Sequence, residues 1–120
     1  MHLGELLGIE VARSTEETAT ATLNADERHL NSGGAVHGGA IAALVDIAMG
    51  AAVFAGGDDD NRPVTIEMKL NYLDPGEVGP LQAVATVRRR GSRFTVLEAE
   101  VTQGERVVAF ATGSFTTVAT

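Results

Sequence analysis

Cysteine is absent from this chain of 120 residues, and basic residues are few. Without cysteine, disulfides, thiolate nucleophiles and cysteine-ligated zinc are excluded, which agrees with a reducing compartment. We therefore expect a cytoplasmic protein. Nine Lys and Arg stand against sixteen Asp and Glu, which gives a net charge of −7. Because this charge repels phosphate backbones and anionic lipid, we expect no nucleic-acid or membrane partner.

Long uninterrupted apolar runs are also absent. The longest apolar segment, residues 40–55, is broken by Asp46 and is shorter than the ~20 residues of a membrane-spanning helix. The first ten residues lack a basic start and carry Glu5, unlike a signal peptide. No linker-like stretch divides the chain, so the sequence predicts a soluble protein with one domain over residues 1–120.

The first half of the chain predicts one strand, a loop and one helix. Residues 9–23 are rich in Val, Thr and Ala and alternate as a strand does. Residues 24–36 supply turn formers without periodicity. Residues 38–55 contain helix formers, no proline, and apolar residues on every face, which is typical of a buried helix. Gly56-Gly57 is a stop signal for that helix.

The second half predicts strands joined by short turns. After Pro63, alternation predicts one buried face made of Val64, Ile66, Met68, Leu70 and Tyr72, with Thr65 on the opposite face. Three further strands are predicted over residues 81–89, 93–102 and 106–118. The sequence therefore predicts an α+β fold in which a curved antiparallel sheet of five or six strands wraps around one long helix.

The triplet His37-Gly38-Gly39 leads directly into the predicted helix. Free N–H groups at a helix N-terminus, with glycine allowing close approach, can hold the oxygen of a carbonyl that is developing negative charge. A tight turn that only begins the helix would use the same residues.

Asp46 is the one carboxylate of the predicted helix, and its sequence neighbours are apolar. Burying an unpaired charge is costly, and such acids cluster at functional sites. The alternative is a structural carboxylate that pairs with an arginine or is capped by backbone donors.

Gly38 and Asp46 are eight residues apart, or about 12 Å along one helix. They cannot act on one carbonyl within one chain. If both act on the same substrate, Asp46 comes from a second copy whose helix runs antiparallel across a two-fold axis.

Asn31, His37-Gly38-Gly39, Asp46 nine residues after the histidine, and the segments VTIEMKLNYLDPGEVG and RRRGSRFTVLEAEVTQGERVVAFATGSF resemble the PaaI-like branch of hotdog thioesterases, the phenylacetyl-CoA thioesterase type. The resemblance implies hydrolysis of an acyl-CoA without metal or cofactor in a homodimer or homotetramer, a dimer of dimers. Gly38 N–H would polarise the carbonyl, and Asp46 of the partner subunit would be general base or nucleophile.

The resemblance also implies supporting roles. Asn31 and His37 would orient substrate or water, Gly39 would contact substrate, and Thr65 would hold the attacking water. Simpler roles exist for three of them, since Asn31 suits a turn, His37 a loop anchor, and Thr65 a strand.

The only dense positive cluster comprises Arg88, Arg89, Arg90 and Arg93. It could attract the phosphates of CoA, or it could simply keep a turn solvated. Two other functions stay open, a hotdog dehydratase or hydratase and a non-catalytic acyl-CoA-binding module. The preferred acyl group does not follow from the sequence.

Overall fold

A computed structural model describes all 120 residues. The chain forms two α-helices, one short 3₁₀ helix over Glu27–His29 and six strands. In chain order the helices and strands are α1 Leu3–Leu7, β1 Ile9–Ser14, β2 Thr18–Ala25, α2 Gly38–Ala55, β3 Asn61–Tyr72, β4 Gly79–Arg90, β5 Thr95–Gln103 and β6 Arg106–Ala119.

The six strands form one antiparallel sheet in the order β1-β2-β4-β5-β6-β3. Helix α2 packs against all six strands. The predicted α+β architecture is therefore confirmed, and α2 has the predicted bounds. Strands β1 and β3 are the two edges of the sheet, and β3 is the longer edge.

The sheet face toward α2 is built largely from alanine. Ala19, Ala85, Ala99 and Ala111 lie opposite one another across four adjacent strands, and each is at most 2% exposed. These small side chains leave room for the buried Leu44, Val45, Met49 and Val53 of α2. The core is thus a helix with large side chains against a sheet with small ones.

The prediction of one strand over residues 9–23 was wrong, because this segment forms a hairpin. Thr15 turns the chain between β1 and β2: its hydroxyl oxygen accepts from Glu17 N–H and Thr18 N–H, and its own N–H donates to Thr18 O. Threonine hydroxyls can replace strand hydrogen bonds in this way. The alternating Thr and Ala residues belong to β2 alone.

Helix α2 is the buried central helix of the fold, but in the single chain its burial is not the same on every side. Eight of its 18 residues are buried. A stripe along the other side stays partly exposed, with the small residues Ala42, Ala43, Gly50 and Ala51 beside Asp46 and Ile47. By length and composition alone α2 could cross a membrane, but it packs here as the core helix of the sheet.

The predicted face of β3 was wrong at its start, because a β-bulge lies between Thr65 and Glu67. Thr65 lies opposite the buried Phe115, and Met68 lies opposite Gly113. The extra residue therefore turns Thr65 to the same face as Met68, Leu70 and Tyr72, which strict alternation does not allow.

Candidate active site

The loop before α2 is organised by Asn31. Its side-chain oxygen accepts from Gly33 N–H at 2.9 Å and from Ala35 N–H at 3.1 Å, while its own N–H donates to Ala35 O at 2.8 Å. These bonds close a compact turn. In the isolated chain Asn31 thus has the role of a turn residue, which brings the loop back to the start of α2.

Two backbone N–H groups at the start of α2, those of Gly38 and Gly39, differ in whether they have a hydrogen-bond partner. His37 is the N-cap, and its ring Nδ1 accepts from Gly39 N–H at 2.8 Å. The Gly38 N–H donates no hydrogen bond within the chain. Gly39 is therefore occupied by the histidine ring, and Gly38 presents the free donor that an oxyanion requires.

Tyr72, at the end of β3, fixes the other side of Gly38. Its hydroxyl donates to Gly38 O at 2.8 Å. Tyr72 is about half exposed, and its partial burial raises the pKa of the phenol above its ordinary value of 10.0. A cavity of about 360 Å³ lies beside this pair and is also lined by Asn31.

Asp46 lies on the partly exposed stripe of α2. Thr65 Oγ1 donates to Asp46 Oδ1 at 2.5 Å, and this is the only hydrogen bond that the Asp46 carboxylate makes in the chain. No arginine or lysine forms an ion pair with Asp46. The structural alternative, a carboxylate held by an arginine, is therefore not what the chain contains.

The structure thus brings the predicted residues together in two groups. Asp46 and Thr65 form one, and Asn31, His37, Gly38 and Gly39 form the other around the start of α2. Tyr72 was missed because its alternation looked like that of a core strand residue. His29 was missed because it belongs to no recognisable motif, although it is the only buried histidine.

The four arginines separate into two kinds. Arg90 donates to the carbonyls of Ala52, Val53 and Glu16, so its guanidinium closes the C-terminal end of α2. These contacts give Arg90 a structural role, and its predicted contact with substrate stays a prediction. Arg88 pairs with Glu98 at 3.6 Å, Arg93 lies over the Phe94 ring, and Arg89 makes no ion pair.

A long helix wrapped by a six-stranded antiparallel sheet in this order is the hotdog fold. The family model described as the Thioesterase superfamily matches residues 33–110, more than half of the chain. The chain belongs to this superfamily, and it resembles the PaaI-like hotdog thioesterases within it. This membership supports thioester hydrolysis as the general activity.

Individual proteins agree with that placement. PA0474 of Pseudomonas aeruginosa, provisionally named an esterase, is 33% identical over 92% of this chain and 84% of its own. The structure of the conserved protein PA5202 from the same species superposes with a TM-score of 0.94 at 35% identity, covering 98% of this chain and 94% of that one. PaaI from the phenylacetic acid degradation operon of Escherichia coli superposes with a TM-score of 0.87 at 27% sequence identity, covering 96% of this chain and 83% of that one.

Proposed function

We propose that the protein hydrolyses acyl-CoA thioesters and that Asp46 is its catalytic carboxylate. The observation that carries this proposal is the Asp46–Thr65 pair: a helix carboxylate on an open face, free of cations and held by one short hydroxyl bond. A hydroxyl fixes the orientation of one carboxylate oxygen and leaves the other available for water or substrate.

The complete site requires two chains. Gly38 and Asp46 lie on one continuous helix, about 12 Å apart along its axis. Two features support a second copy at this surface. The partly exposed stripe of α2 has small side chains that permit close helix approach, and β3 has one unpaired edge with Val64 40% and Ile66 49% exposed. Antiparallel helices would place Gly38 of one chain beside Asp46 of the other.

The proposed reaction uses the Gly38 N–H of one chain and the Asp46 carboxylate of the other. The Gly38 N–H of one chain polarises the thioester carbonyl, and Asp46 of the other chain either takes a proton from water or attacks the carbonyl itself. In the first route, water adds to the carbonyl as Asp46 takes its proton, the C–S bond breaks, and the proton passes from Asp46 to the CoA thiolate. In the second route, Asp46 forms a mixed anhydride with the acyl group as the C–S bond breaks, and water then hydrolyses the anhydride, which restores Asp46 and supplies the proton of the thiol. Thr65 orients Asp46 and can accept a hydrogen bond from the water.

Arg88, Arg89 and Arg93 are the proposed contacts for the phosphates of CoA. They lie near the C-terminal end of α2, because the neighbouring Arg90 donates hydrogen bonds to the Ala52 and Val53 carbonyls there. In an antiparallel pair of helices this end lies toward the loop that precedes Gly38 of the other chain. A polar cavity of about 130 Å³, lined by Ser92, Arg93 and Thr95 among others, opens there.

The test of the proposed function is thiol release from acyl-CoA substrates by Asp46→Asn. The amide keeps the size of the side chain but cannot act as base or nucleophile, so kcat should fall by about two orders of magnitude or more. Asp58→Asn, in an exposed loop, is the matched control and should keep normal turnover. Near-normal turnover of a folded Asp46→Asn protein would refute the assignment. Tight acyl-CoA binding by wild type without thiol release would favour a binding module instead.

The proposed chemistry uses only protein groups and water. Dialysis against a chelator should therefore leave kcat unchanged. Loss of activity that a divalent ion restores would contradict this part of the proposal.

A further inference from the structure

A cavity of about 770 Å³ lies between α1, β1 and the exposed stripe of α2. Asp46 lines it, and the Thr65 that bonds to Asp46 belongs to β3, at the opposite edge of the sheet from β1. The apolar part of its wall consists of Leu3, Ile9, Val11, Ala43 and Ile47. A volume of this size is in the range of small-molecule sites, and an apolar wall next to the proposed catalytic group suits the acyl part of a thioester.

Helix α1 forms one wall of this cavity, and specific contacts attach it to the rest of the chain. Gly4 lies so close to Ile47 that a Cβ at position 4 would be 3.2 Å from Ile47 Cδ1. At the other end of α1, the buried His29 ring donates from Nε2 to Leu7 O at 2.6 Å, and its Nδ1 accepts from Asp26 N–H at 2.9 Å. The same residue accepts from His37 N–H through its carbonyl.

His29 therefore connects α1 to the loop that presents Gly38. Its ring nitrogens both have partners, so the ring has one orientation and α1 has a fixed attachment. One buried residue thus contacts both parts of the site, the cavity wall through its ring and the start of α2 through its backbone carbonyl.

The polar part of the cavity wall is acidic. Glu5 and Glu10 line it together with Asp46, and His2 pairs with Glu5 at 2.8 Å. Three carboxylates around one cavity oppose a ligand that carries a further carboxylate, since like charges at short range repel.

We propose that this cavity receives the acyl group and that α1 determines acyl specificity. The substrates are uncharged apolar acyl groups of medium length or with an aromatic ring. Acyl groups that end in a carboxylate are rejected by Glu5 and Glu10. This inference rests on the proposed acyl-CoA hydrolysis, but it has its own test.

The first arm of that test compares pentanoyl-CoA with glutaryl-CoA, which have chains of equal length and differ in a terminal carboxylate. We expect kcat/KM for glutaryl-CoA to be lower by about tenfold or more, which corresponds to about 1.4 kcal/mol. The double variant Glu5→Gln/Glu10→Gln should reduce that ratio several-fold. Equal kcat/KM for the two substrates in wild type would overturn the charge argument.

The second arm changes the volume of the cavity. Leu3 is 60% exposed and lines the cavity, while Leu6, 57% exposed on the same helix, does not. Leu3→Trp should lower kcat/KM for octanoyl-CoA about tenfold relative to acetyl-CoA, because the larger side chain fills the acyl space. Leu6→Trp should keep the wild-type ratio. An unchanged ratio in Leu3→Trp would overturn the placement of the acyl group.

A binding measurement separates this inference from the proposed function. Calorimetric titration with the thioether S-octyl-CoA needs no turnover. Weaker binding to Leu3→Trp but not to Leu6→Trp supports the cavity assignment, even if thiol release by wild type were to fail. Equal binding to both variants contradicts it, even if wild type hydrolyses every thioester tested.

Discussion

Thr65 reaches Asp46 because β3 contains one extra residue beside it. Without the bulge between Thr65 and Glu67, the parity of the strand would turn Thr65 away from α2 while Met68 and Leu70 still faced the core. β-Bulges often re-aim a side chain next to an active site. The geometry of the candidate site therefore depends on a local irregularity of an edge strand.

The first prediction concerns the hydroxyl of Thr65. Thr65→Val keeps the shape of the side chain and removes the donor to Asp46, so kcat should fall about ten- to a hundredfold with little change in KM. Thr65→Ser keeps the donor and should retain most of the wild-type kcat. A wild-type kcat for Thr65→Val in steady-state thiol release would leave Thr65 with only a strand role.

Tyr72 fixes the Gly38 peptide through a donor that must stay protonated. Its pKa is raised by burial, so the bond to Gly38 O is fully present below pH 10.0 and is lost as pH rises through the raised value. We predict that the stability difference between wild type and Tyr72→Phe, measured by denaturant unfolding, is constant from pH 7 to 9. It should shrink above pH 10. A difference that is zero at pH 7 would show that this bond contributes nothing.

More of the fold than of the candidate site could be predicted from the sequence. Asp46, Thr65 and the His37-Gly38-Gly39 triplet were named from their motif, but the direction of Thr65 was not predictable because the bulge leaves no signal in the alternating sequence of residues 64–70. Tyr72 and His29 act through contacts 34 and 22 residues away in sequence. Such pairs exist only once the tertiary structure is formed.

At the level of elements, α2 was the most predictable part of the molecule. A glycine pair at each end and helix formers between them give its bounds, and these agree with the structure. Its partly exposed stripe was predictable only in part: Gly39, Ala43, Gly50 and Ala51 have almost no side-chain bulk and suit the approach of a second helix, but both faces are apolar and do not tell which one the sheet covers. The hairpin of β1 and β2 was missed because the turn Thr15–Glu17 contains neither glycine nor proline.

The C-terminal end of α2 depends on Arg90. Its guanidinium satisfies the Ala52 and Val53 carbonyls at the negative end of the helix dipole. Arg90→Ala should lower the free energy of unfolding by about 2 kcal/mol, as expected for charge-assisted hydrogen bonds. Arg88→Ala loses only an exposed pair with Glu98 and should cost less than about 1 kcal/mol. Equal losses for the two variants in denaturant titrations would contradict the capping role.

At the scale of the whole molecule, one chain contains the two halves of the proposed site but does not bring them together. The Gly38 donor and the Asp46 carboxylate lie on the same helix at positions too far apart for one carbonyl. The small residues of α2 and the unpaired edge of β3 form the surface that a second copy would cover. The central claim is therefore that Gly38 and Asp46 of one active site come from different chains.

Mixing two inactive variants tests this claim directly. Gly38→Pro removes the free N–H at a helix position where proline is tolerated, and Asp46→Asn removes the carboxylate. Gly38→Ala keeps the N–H and is the control for added bulk, since a Cβ there would be 3.3 Å from the Tyr72 ring. Each inactive variant must first be shown to fold and to associate.

After co-refolding of the Gly38→Pro and Asp46→Asn chains in equal amounts, half of the dimers should be hybrids, and each hybrid should have one intact site. The account predicts thiol release at about a quarter of the wild-type rate from two proteins that are nearly inactive alone. No recovery of activity, in a sample that mass spectrometry shows to contain hybrids, would contradict it.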